Sequence, residues 1–335
     1  MGINIKEFLK VLSAVKPALA NKEILEQSTN FIFLDENVIT YNDEIMISHP
    51  FESDFAGAVH AENLYSLLSK IKEEGVEVEQ VENELLFSGI KTKFKSGIVC
   101  ETEIKLPISE IKIPDRMRKI PDGFLEAIKF TSVSVSQDAS RPELTCIHFT
   151  SEYIESCDNF RLTRYQLKGF PVKNLSISFR LIQELHKYNP THFAQADNWV
   201  HFKNAENVIY SCRDFSGNYP VLDSFFEMKG IDIVFPKDIL ESIERARILA
   251  EEELSKDRMI EILLSKNELN VKSKSDGGWY TEIFRIRYTG KEIVFRVSST
   301  ILAEILVHFK YSVLAEDLSR LKFETDNFIH VVSLQ

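Results

Sequence analysis

Apolar residues recur at helical spacing in six segments of the chain. The segments cover roughly residues 4–17, 61–73, 121–130, 178–188, 237–250 and 298–310. In the second segment, Leu64, Leu67, Leu68 and Ile71 lie at positions i, i+3, i+4 and i+7, which places them on one face of a helix. The six starts are about 57 to 61 residues apart. This regular interval predicts an internally repeated fold.

Short extended runs rich in Phe, Ile, Val, Thr and Tyr lie between these helices. The run FIFLDENVITY, residues 31–41, predicts a hairpin that bends at Asp-Glu-Asn. IEILLSKNELNVKS, 260–273, predicts a second hairpin that bends at Lys266 and Asn267, and NWVHFKNAENVIYSCRD, 198–214, a third around Asn204. In SCDNFRLTRYQL, 156–167, Asp158, Asn159 and Phe160 indicate a turn between strands.

Each repeat therefore predicts one helix with three or four strands, because an amphipathic helix must cover a sheet with its apolar face. Two repeats make a domain of about 115 residues, and a chain of 335 residues is long enough for two or three cores. We expect three domains, 1–115, 116–232 and 233–335, divided near IKIPDRMRKIP (111–121) and GIDIVFP (230–236). The predicted fold class is α+β with antiparallel sheets.

Composition and charge narrow the class of protein. A hydrophobic content of 44% with 24 Phe predicts a folded, soluble chain, and no apolar run is long enough to span a membrane. The amino terminus has no secretory apolar core, so we expect a cytoplasmic protein. The four cysteines form no C-x-x-C pair, which favours free thiols in a reducing compartment. The net charge of −11 describes the average surface and leaves the charge of any single face open.

Basic residues occupy the polar faces of several predicted helices, which is where a polyanion such as DNA could bind. An ordinary solvated lysine face is the alternative explanation. The helical positions chosen on this ground are Lys6, Lys10, Lys22, Lys70, Arg180, Lys187 and Arg245.

No sequence motif indicates catalysis or a cofactor. The chain lacks the phosphate-loop, dinucleotide, zinc-protease, nucleophile-elbow and EF-hand patterns. His186 and His192, six residues apart, would face different sides of a helix, so we predict no metal site.

Several segments resemble the bacterial DNA polymerase III beta subunit, the sliding clamp, and they occur in the same order as in that family. CDNFRL, 157–162, is similar to the family's T-D-G-H-R-L segment, with Cys, Asn and Phe in place of Thr, Gly and His. SQDASRPELTCIHF (136–149) resembles the Q-D-x-R loop and GNYPVLDSFF (217–226) the G-x-F-P-D-Y segment. In the last third, ERARILA (244–250), FRVSSTILAEIL (295–306) and IHVVSLQ (329–335) resemble family segments, although the last lacks the family's Met-Pro-Met.

This resemblance implies three similar domains of the DNA-clamp fold, each with two helices on an inner face and antiparallel sheets outside. It also implies a cleft that binds short extended peptides of partner proteins through apolar anchors. The residues carried over to that cleft are Leu144, Cys157, Asn159, Phe160, Arg161, Leu162, Pro220, Val297, Ser299, Val331, Val332 and Leu334. The resemblance adds Arg141 to the predicted DNA-binding residues and supports Arg180.

The resemblance further implies a homodimeric ring around duplex DNA, which tethers the replicative DNA polymerase and is opened by a clamp loader. Twelve helices at about 9–10 Å spacing give a circle of roughly 36 Å through their axes, and subtracting a helix diameter of about 10 Å leaves an opening of roughly 26 Å, which admits B-form DNA. Phe94 and Val271 are the residues predicted for the dimer interface, with ordinary core positions as the alternative. The protein itself would be a processivity factor without catalytic activity, cofactor or membrane partner.

Two other functions stay open from the sequence. One is a clamp-like scaffold or competitor carried by a mobile element, which the altered cleft residues suggest. The other is a β-rich hydrolase whose carboxylates meet only in the folded protein.

Overall fold

Seven α-helices occur in the part of the chain that the computed structural model describes, residues 1–251 and 257–335. They are α1 (Ile5–Val15), α2 (Ala61–Lys70), α3 (Phe124–Thr131), α4 (Phe179–Ile182), α5 (Asp223–Phe226), α6 (Ile239–Ile248) and α7 (Ser299–Leu306). Six of them lie in the six segments predicted from apolar spacing, and the one-turn helix α5 was not predicted. The fourth predicted helix is short, because after α4 the chain tightens into a 3₁₀ turn at Leu185–Lys187.

Twenty-four strands accompany these helices in the described residues, and every described pairing is antiparallel. The first twelve are β1 (Gly2–Asn4), β2 (Asn30–Leu34), β3 (Asn37–Tyr41), β4 (Ile45–Pro50), β5 (Gly57–His60), β6 (Gly75–Val81), β7 (Glu84–Gly89), β8 (Lys95–Glu101), β9 (Arg118–Lys119), β10 (Cys146–Phe149), β11 (Tyr153–Cys157) and β12 (Arg161–Gln166). The others are β13 (Leu175–Ser178), β14 (His192–Ala196), β15 (Trp199–Lys203), β16 (Ile209–Arg213), β17 (Gly230–Val234), β18 (Met259–Ser265), β19 (Glu268–Ser275), β20 (Gly278–Arg285), β21 (Ile293–Ser298), β22 (Tyr311–Ala315), β23 (Arg320–Glu324) and β24 (Phe328–Ser333). The mixture of helices and antiparallel sheets confirms the predicted α+β class.

The three predicted hairpins form, each through local turn chemistry. Asp35 and Glu36 adopt φ of 49° and 58° between β2 and β3, the left-handed geometry of a tight hairpin turn. Asn267 does the same between β18 and β19, with φ of 60°. Between β15 and β16, the Asn204 Oδ1 atom accepts hydrogen bonds from the backbone N–H groups of Glu206 and Val208, at 3.0 and 2.9 Å.

The chain divides into two compact units, and each contains two separate stretches of sequence. Unit 1 consists of Met1–Leu125 and Ile177–Ser216, and unit 2 of Glu126–Ser176 and Gly217–Gln335. The three-domain division at 115 and 232 stays a prediction. No helix in the described residues is long and apolar enough to cross a membrane.

Unit 1 is built on one twelve-stranded sheet in the order β1-β6-β7-β8-β5-β2-β3-β4-β16-β15-β14-β9. Helix α1 begins at Asn4, whose side chain accepts hydrogen bonds from the backbone of Lys6 and Glu7 at 3.0 and 3.2 Å. Its buried face includes Phe8, which stacks on Phe51 with ring centroids 4.7 Å apart. Helices α1 and α2 adjoin one another, since Ser13 Oγ and Tyr65 Oη are 3.0 Å apart.

Unit 2 contains an eight-stranded sheet, β13-β10-β11-β12-β24-β23-β22-β17, and a four-stranded sheet, β20-β19-β18-β21. Helices α6 and α7 cover its main core with residues such as Ile243 and Leu302, which are fully buried. In the larger sheet, β12 pairs with β24 so that Leu162 lies opposite Val331. This pairing joins segments about 170 residues apart and builds the site described next.

Candidate functional site

A surface cavity of about 300 Å³ lies in unit 2, beside the turn between β11 and β12. Its lining comes from that turn, the start of β12, the 3₁₀ turn before β10, the segment that leads into α5, and the neighbouring strands β23 and β24. The lining residues are Arg141, Leu144, Cys157, Asp158, Asn159, Phe160, Arg161, Leu162, Pro220, Val221, Leu222, Phe225, Arg320, Val331 and Ser333.

The turn that shapes the cavity is held by Asp158. Its Oδ1 atom accepts hydrogen bonds from the backbone N–H groups of Phe160 and Arg161 at 2.7 and 2.8 Å, and its Oδ2 atom accepts one from Arg161 Nε at 3.2 Å. Asn159 occupies the position of the glycine in the family's T-D-G-H-R-L segment, but it is absent from the positive-φ residues of the described chain. The Asp158 side chain satisfies the turn instead, so no left-handed residue is required.

The floor of the cavity is apolar and its rim exposes further apolar side chains. Leu144, Cys157, Leu162, Leu222 and Val331 are buried and pack with Phe226 into one cluster. At the rim, Val221, Phe160 and Phe225 are 80%, 46% and 46% exposed. This arrangement can bury apolar side chains of a ligand and remove the rim residues from water at the same time.

A network of charged side chains packs against the apolar cluster that forms the floor. The Glu155 side chain is 2% exposed and accepts hydrogen bonds from Arg164 Nε and Nη2 at 2.9 and 2.7 Å. His148 Nδ1 lies 2.9 Å from the same carboxylate. The Arg164 guanidinium also lies over the Phe226 ring, 4.3 Å from its centroid, and therefore ties the floor cluster to the sheet.

Three arginines and one carboxylate surround the cavity. Arg161 forms ion pairs with Asp158 and Glu304, and Arg141 donates to Glu143 Oε1 at 3.3 Å and to Asn159 Oδ1 at 3.0 Å. Arg320 Nη1 donates to the Phe225 carbonyl oxygen at 3.0 Å. No carboxylate in the described residues lies within ion-pair distance of Arg320.

The cavity brings together eight of the twelve residues predicted for the peptide cleft. The eight are Leu144, Cys157, Asn159, Phe160, Arg161, Leu162, Pro220 and Val331. The other four, Val297, Ser299, Val332 and Leu334, do not line it. They are 8% exposed or less, and three of them, Val297, Val332 and Leu334, belong to the main core of unit 2.

Sequence reasoning missed five lining residues besides Asp158: Val221, Leu222, Phe225, Arg320 and Ser333. Residues 221–225 lie within the segment 217–226 that resembles the family, but only Pro220 of that segment was carried over to the cleft. Arg320 has no local signal in the sequence. It reaches the cavity because β23 pairs with β24, where Arg320 lies opposite Ser333.

The predicted DNA-binding residues are exposed, and most of them belong to unit 1. Lys6, Lys10 and Lys70 are on α1 and α2, and Lys22 follows the 3₁₀ turn after α1. These four lysines form no ion pair within the described residues. Four others do have carboxylate partners: Arg141 pairs with Glu143, Arg180 with Glu44, Lys187 with Glu184, and Arg245 with both Glu241 and Glu282. Arg141, predicted to contact DNA, lines the cavity.

The two residues predicted for a dimer interface differ in environment. Phe94 is half-buried just before β8. Val271 is fully buried on the inner strand β19, packed in the main core of unit 2, so its side chain is not available to a second subunit. The neighbouring strand β20 is the edge of its sheet and exposes Trp279 and Ile283, at 69% and 58%.

No cluster of His, Cys, Asp or Glu side chains within the described residues could hold a metal ion. The four cysteines are free and buried. Burial raises the pKa of the Cys157 thiol to about 11, which keeps it protonated and unreactive although it lies in the floor of the cavity.

Comparison with known proteins finds solved structures that share the fold of this chain. No family model matches the sequence, and no curated relative matches it. Solved structures of bacterial sliding clamps do match over the full length of the chain.

One is a sliding clamp (DNA polymerase III subunit beta) from Pseudomonas aeruginosa bound to griselimycin, with 16% identity, a TM-score of 0.81, and coverage of 100% of this chain and 98% of that one. The beta chain from Streptococcus pneumoniae has 18% identity, a TM-score of 0.83 and the same coverage of both chains. The beta subunit from Thermotoga maritima has 15% identity and a TM-score of 0.78, again with 100% and 98% coverage. The chain therefore has the fold of the DNA polymerase III beta subunit, as the sequence resemblance predicted.

Proposed function

We propose that the protein is a DNA sliding clamp, a ring-shaped processivity factor that encircles duplex DNA and tethers partner proteins. The observation that carries this proposal is the cavity of unit 2, because eight residues chosen for a clamp peptide cleft meet there. A fold shared with clamps over the whole chain supports the same function.

Partner proteins bind to the clamp at this cavity. Strand β12 is paired on both sides, with β11 and with β24, so a bound peptide cannot add to the sheet there. Binding instead depends on apolar side chains that enter the floor formed by Leu144, Leu162 and Val331. Its natural ligands are short extended segments of the replicative polymerase and of the clamp loader.

The ring is a homodimer in this proposal, with three clamp domains in each chain. Edge strand β20 of one copy pairs with the free edge of β8 in the other, where residues 95–99 have a partner strand on one side only among the residues that the structure describes. Phe94 stays in the proposed interface, while Ile283 and Trp279 take the place of the buried Val271. Retention on DNA is then topological, since phosphate contacts by lysines are weak at any one position and leaving requires an interface to open.

A DNA-topology experiment tests this function. The clamp loader of the same organism, with ATP, loads the protein on a nicked circular plasmid. Gel filtration then separates DNA-bound protein from free protein. We expect retention on the circle, and release when the same plasmid is cut once by a restriction enzyme. Equal retention on circular and linear DNA would contradict encirclement.

A peptide experiment separates a clamp from a clamp-like scaffold. The clamp-binding peptide of the organism's replicative polymerase should bind the protein, and Leu162→Asp should abolish that binding by placing a charge in the apolar floor. Because Leu162 is buried, Val221→Ser at the exposed rim provides a second variant that leaves the fold intact and should weaken binding. A scaffold or competitor would bind the peptide without retention on circular DNA.

A further inference from the structure

The arginines around the cavity of unit 2 differ in the number of carboxylates with which they form ion pairs. Arg161 has two carboxylate partners, Asp158 and Glu304, and its side chain is 16% exposed. Arg141 has Glu143. Arg320 is half-buried and has only the Phe225 carbonyl oxygen as a partner in the described residues.

The acidic group closest to Arg320 in sequence forms no ion pair with it. Hydrogen bonds from Ser319 are the main cause of the lowered pKa of the Asp317 carboxyl, and the Arg320 charge is only a minor cause. Asp317 is three residues earlier, but its carboxylate accepts hydrogen bonds from the Ser319 N–H and hydroxyl groups at 3.1 and 2.7 Å. It does not come within ion-pair distance of the Arg320 guanidinium. Within the described part of the chain, one of the five N–H groups of Arg320 is therefore used, and the others are available to a ligand.

The hydrogen bond to the Phe225 carbonyl oxygen also restricts the position of the Arg320 side chain. It fixes the guanidinium at the wall of the cavity, which Phe225 and Ser333 also line. An arginine held in place loses less side-chain entropy when it binds a carboxylate, and its planar group can pair with both carboxylate oxygens. Low exposure to water strengthens such a pair relative to one on an open surface.

We propose that the cavity selects peptides that carry a carboxylate beside their apolar anchors, and that Arg320 is the residue that recognises this carboxylate. The proposal rests on the proposed function and defines the chemistry of its partner peptides. The apolar floor binds the anchors, and Arg320 distinguishes an acidic neighbour from a neutral one. A side-chain carboxylate and the free carboxyl terminus of a peptide present the same chemistry.

Fluorescence anisotropy with designed peptides tests the assignment. The probes are labelled eight-residue peptides with Leu and Phe anchors on a Ser and Gly background, amidated at the carboxyl end. One Asp is moved along the peptide, and each version has a partner with Asn at the same position. A further Asn peptide with a free carboxyl terminus distinguishes the two sources of carboxylate.

We expect Asp at one position, or the free carboxyl terminus, to tighten binding by about tenfold, which corresponds to about 1.4 kcal/mol. Arg320→Gln should remove this preference while the Asn peptide keeps its affinity, and Arg320→Lys should retain part of it. The control Lys168→Gln removes an exposed charge elsewhere in unit 2 and should leave the preference unchanged.

The remaining outcomes overturn the assignment. Binding with no preference for either Asp or the free carboxyl terminus, or a preference that survives in Arg320→Gln and disappears in Arg141→Gln, rules out Arg320 and leaves the proposed function standing. Failure of every peptide to bind the wild-type protein overturns the peptide cleft as well.

Discussion

At the scale of single residues, the site depends on a buried charge beneath it. Glu155 is almost fully buried, and Arg164 supplies its main positive partner while also stacking on Phe226. We expect Arg164→Met to lower the free energy of unfolding by about 3–5 kcal/mol, because it leaves the Glu155 carboxylate buried without that partner. Urea unfolding monitored by circular dichroism measures this difference.

Arg180→Met is the matched control for that substitution. Arg180 pairs with Glu44, but the two side chains are 65% and 44% exposed. An exposed pair contributes less than about 1 kcal/mol, so this variant should be nearly as stable as the wild type. Equal losses in the two variants would show that burial of Glu155 is not the cause.

Two buried histidines predict a pH dependence of stability. Burial lowers the pKa of His330 to about 3, with a smaller effect from Arg161, and burial lowers that of His201 to about 4. In the unfolded chain each histidine has a pKa of about 6.5. At a pH between the native and the unfolded pKa, the unfolded state therefore binds protons that the native state does not. Their contribution to stability is complete above about pH 6.5 and is lost as the pH falls.

Urea unfolding at pH 7.5 and 5.5 should therefore show a loss of about 1.4 kcal/mol for each of the two histidines. His330→Gln should reduce the pH dependence by that amount. His186→Gln alters an exposed histidine and should keep the wild-type dependence. If His330→Gln has the same pH dependence as the wild type, His330 does not contribute.

At the scale of elements, the edge strand β20 has one side whose backbone groups pair with no other strand of the described residues. It pairs with β19 along its whole length, and its outward residues alternate with half-buried ones. A long edge strand that exposes Trp279 and Ile283 is prone to pair with another chain. We expect wild-type protein to be dimeric in light scattering, and Ile283→Lys to be monomeric with unchanged thermal stability.

Ile24→Lys serves as the control for that substitution. Ile24 is 90% exposed and lies outside the strands and helices, so the same change there should leave the dimer intact. A dimer that persists in Ile283→Lys would place the interface on another element.

At the scale of the whole molecule, the net charge does not describe the environment of individual basic residues. The chain carries a net charge of −11, yet Lys6 and Lys10 of α1 are exposed and free of ion pairs within the described residues. The double variant Lys6→Glu, Lys10→Glu should shorten retention on nicked circular DNA and reduce its dependence on salt, because each lost phosphate contact lowers the salt slope by about 0.9. Gel filtration over a range of salt concentrations measures both effects.

The double variant Lys168→Glu, Lys173→Glu has the same net charge and alters exposed residues of a turn in unit 2. Its retention should equal that of the wild type. Equal losses in the two variants would assign the effect to net charge rather than to α1.

The sequence alone determined six of the seven described helices and the turn chemistry of three hairpins. Apolar spacing located six helices, and the turn residues located the hairpins at Asp35, Asn204 and Asn267, because both depend on residues close together in the chain. Resemblance to clamp segments located two thirds of the predicted cleft residues in the cavity.

Only the tertiary structure decided which distant residues meet. Pairing of β12 with β24, and of β24 with β23, carried Arg320 to the cavity and turned Val332 toward the core. Val271 is buried because it lies on the face of β19 that packs in the main core of unit 2, while its neighbours Asn270 and Lys272 on the same strand are only half-buried. Strand order and register arise from packing across the whole sheet, so they could not be read from local periodicity.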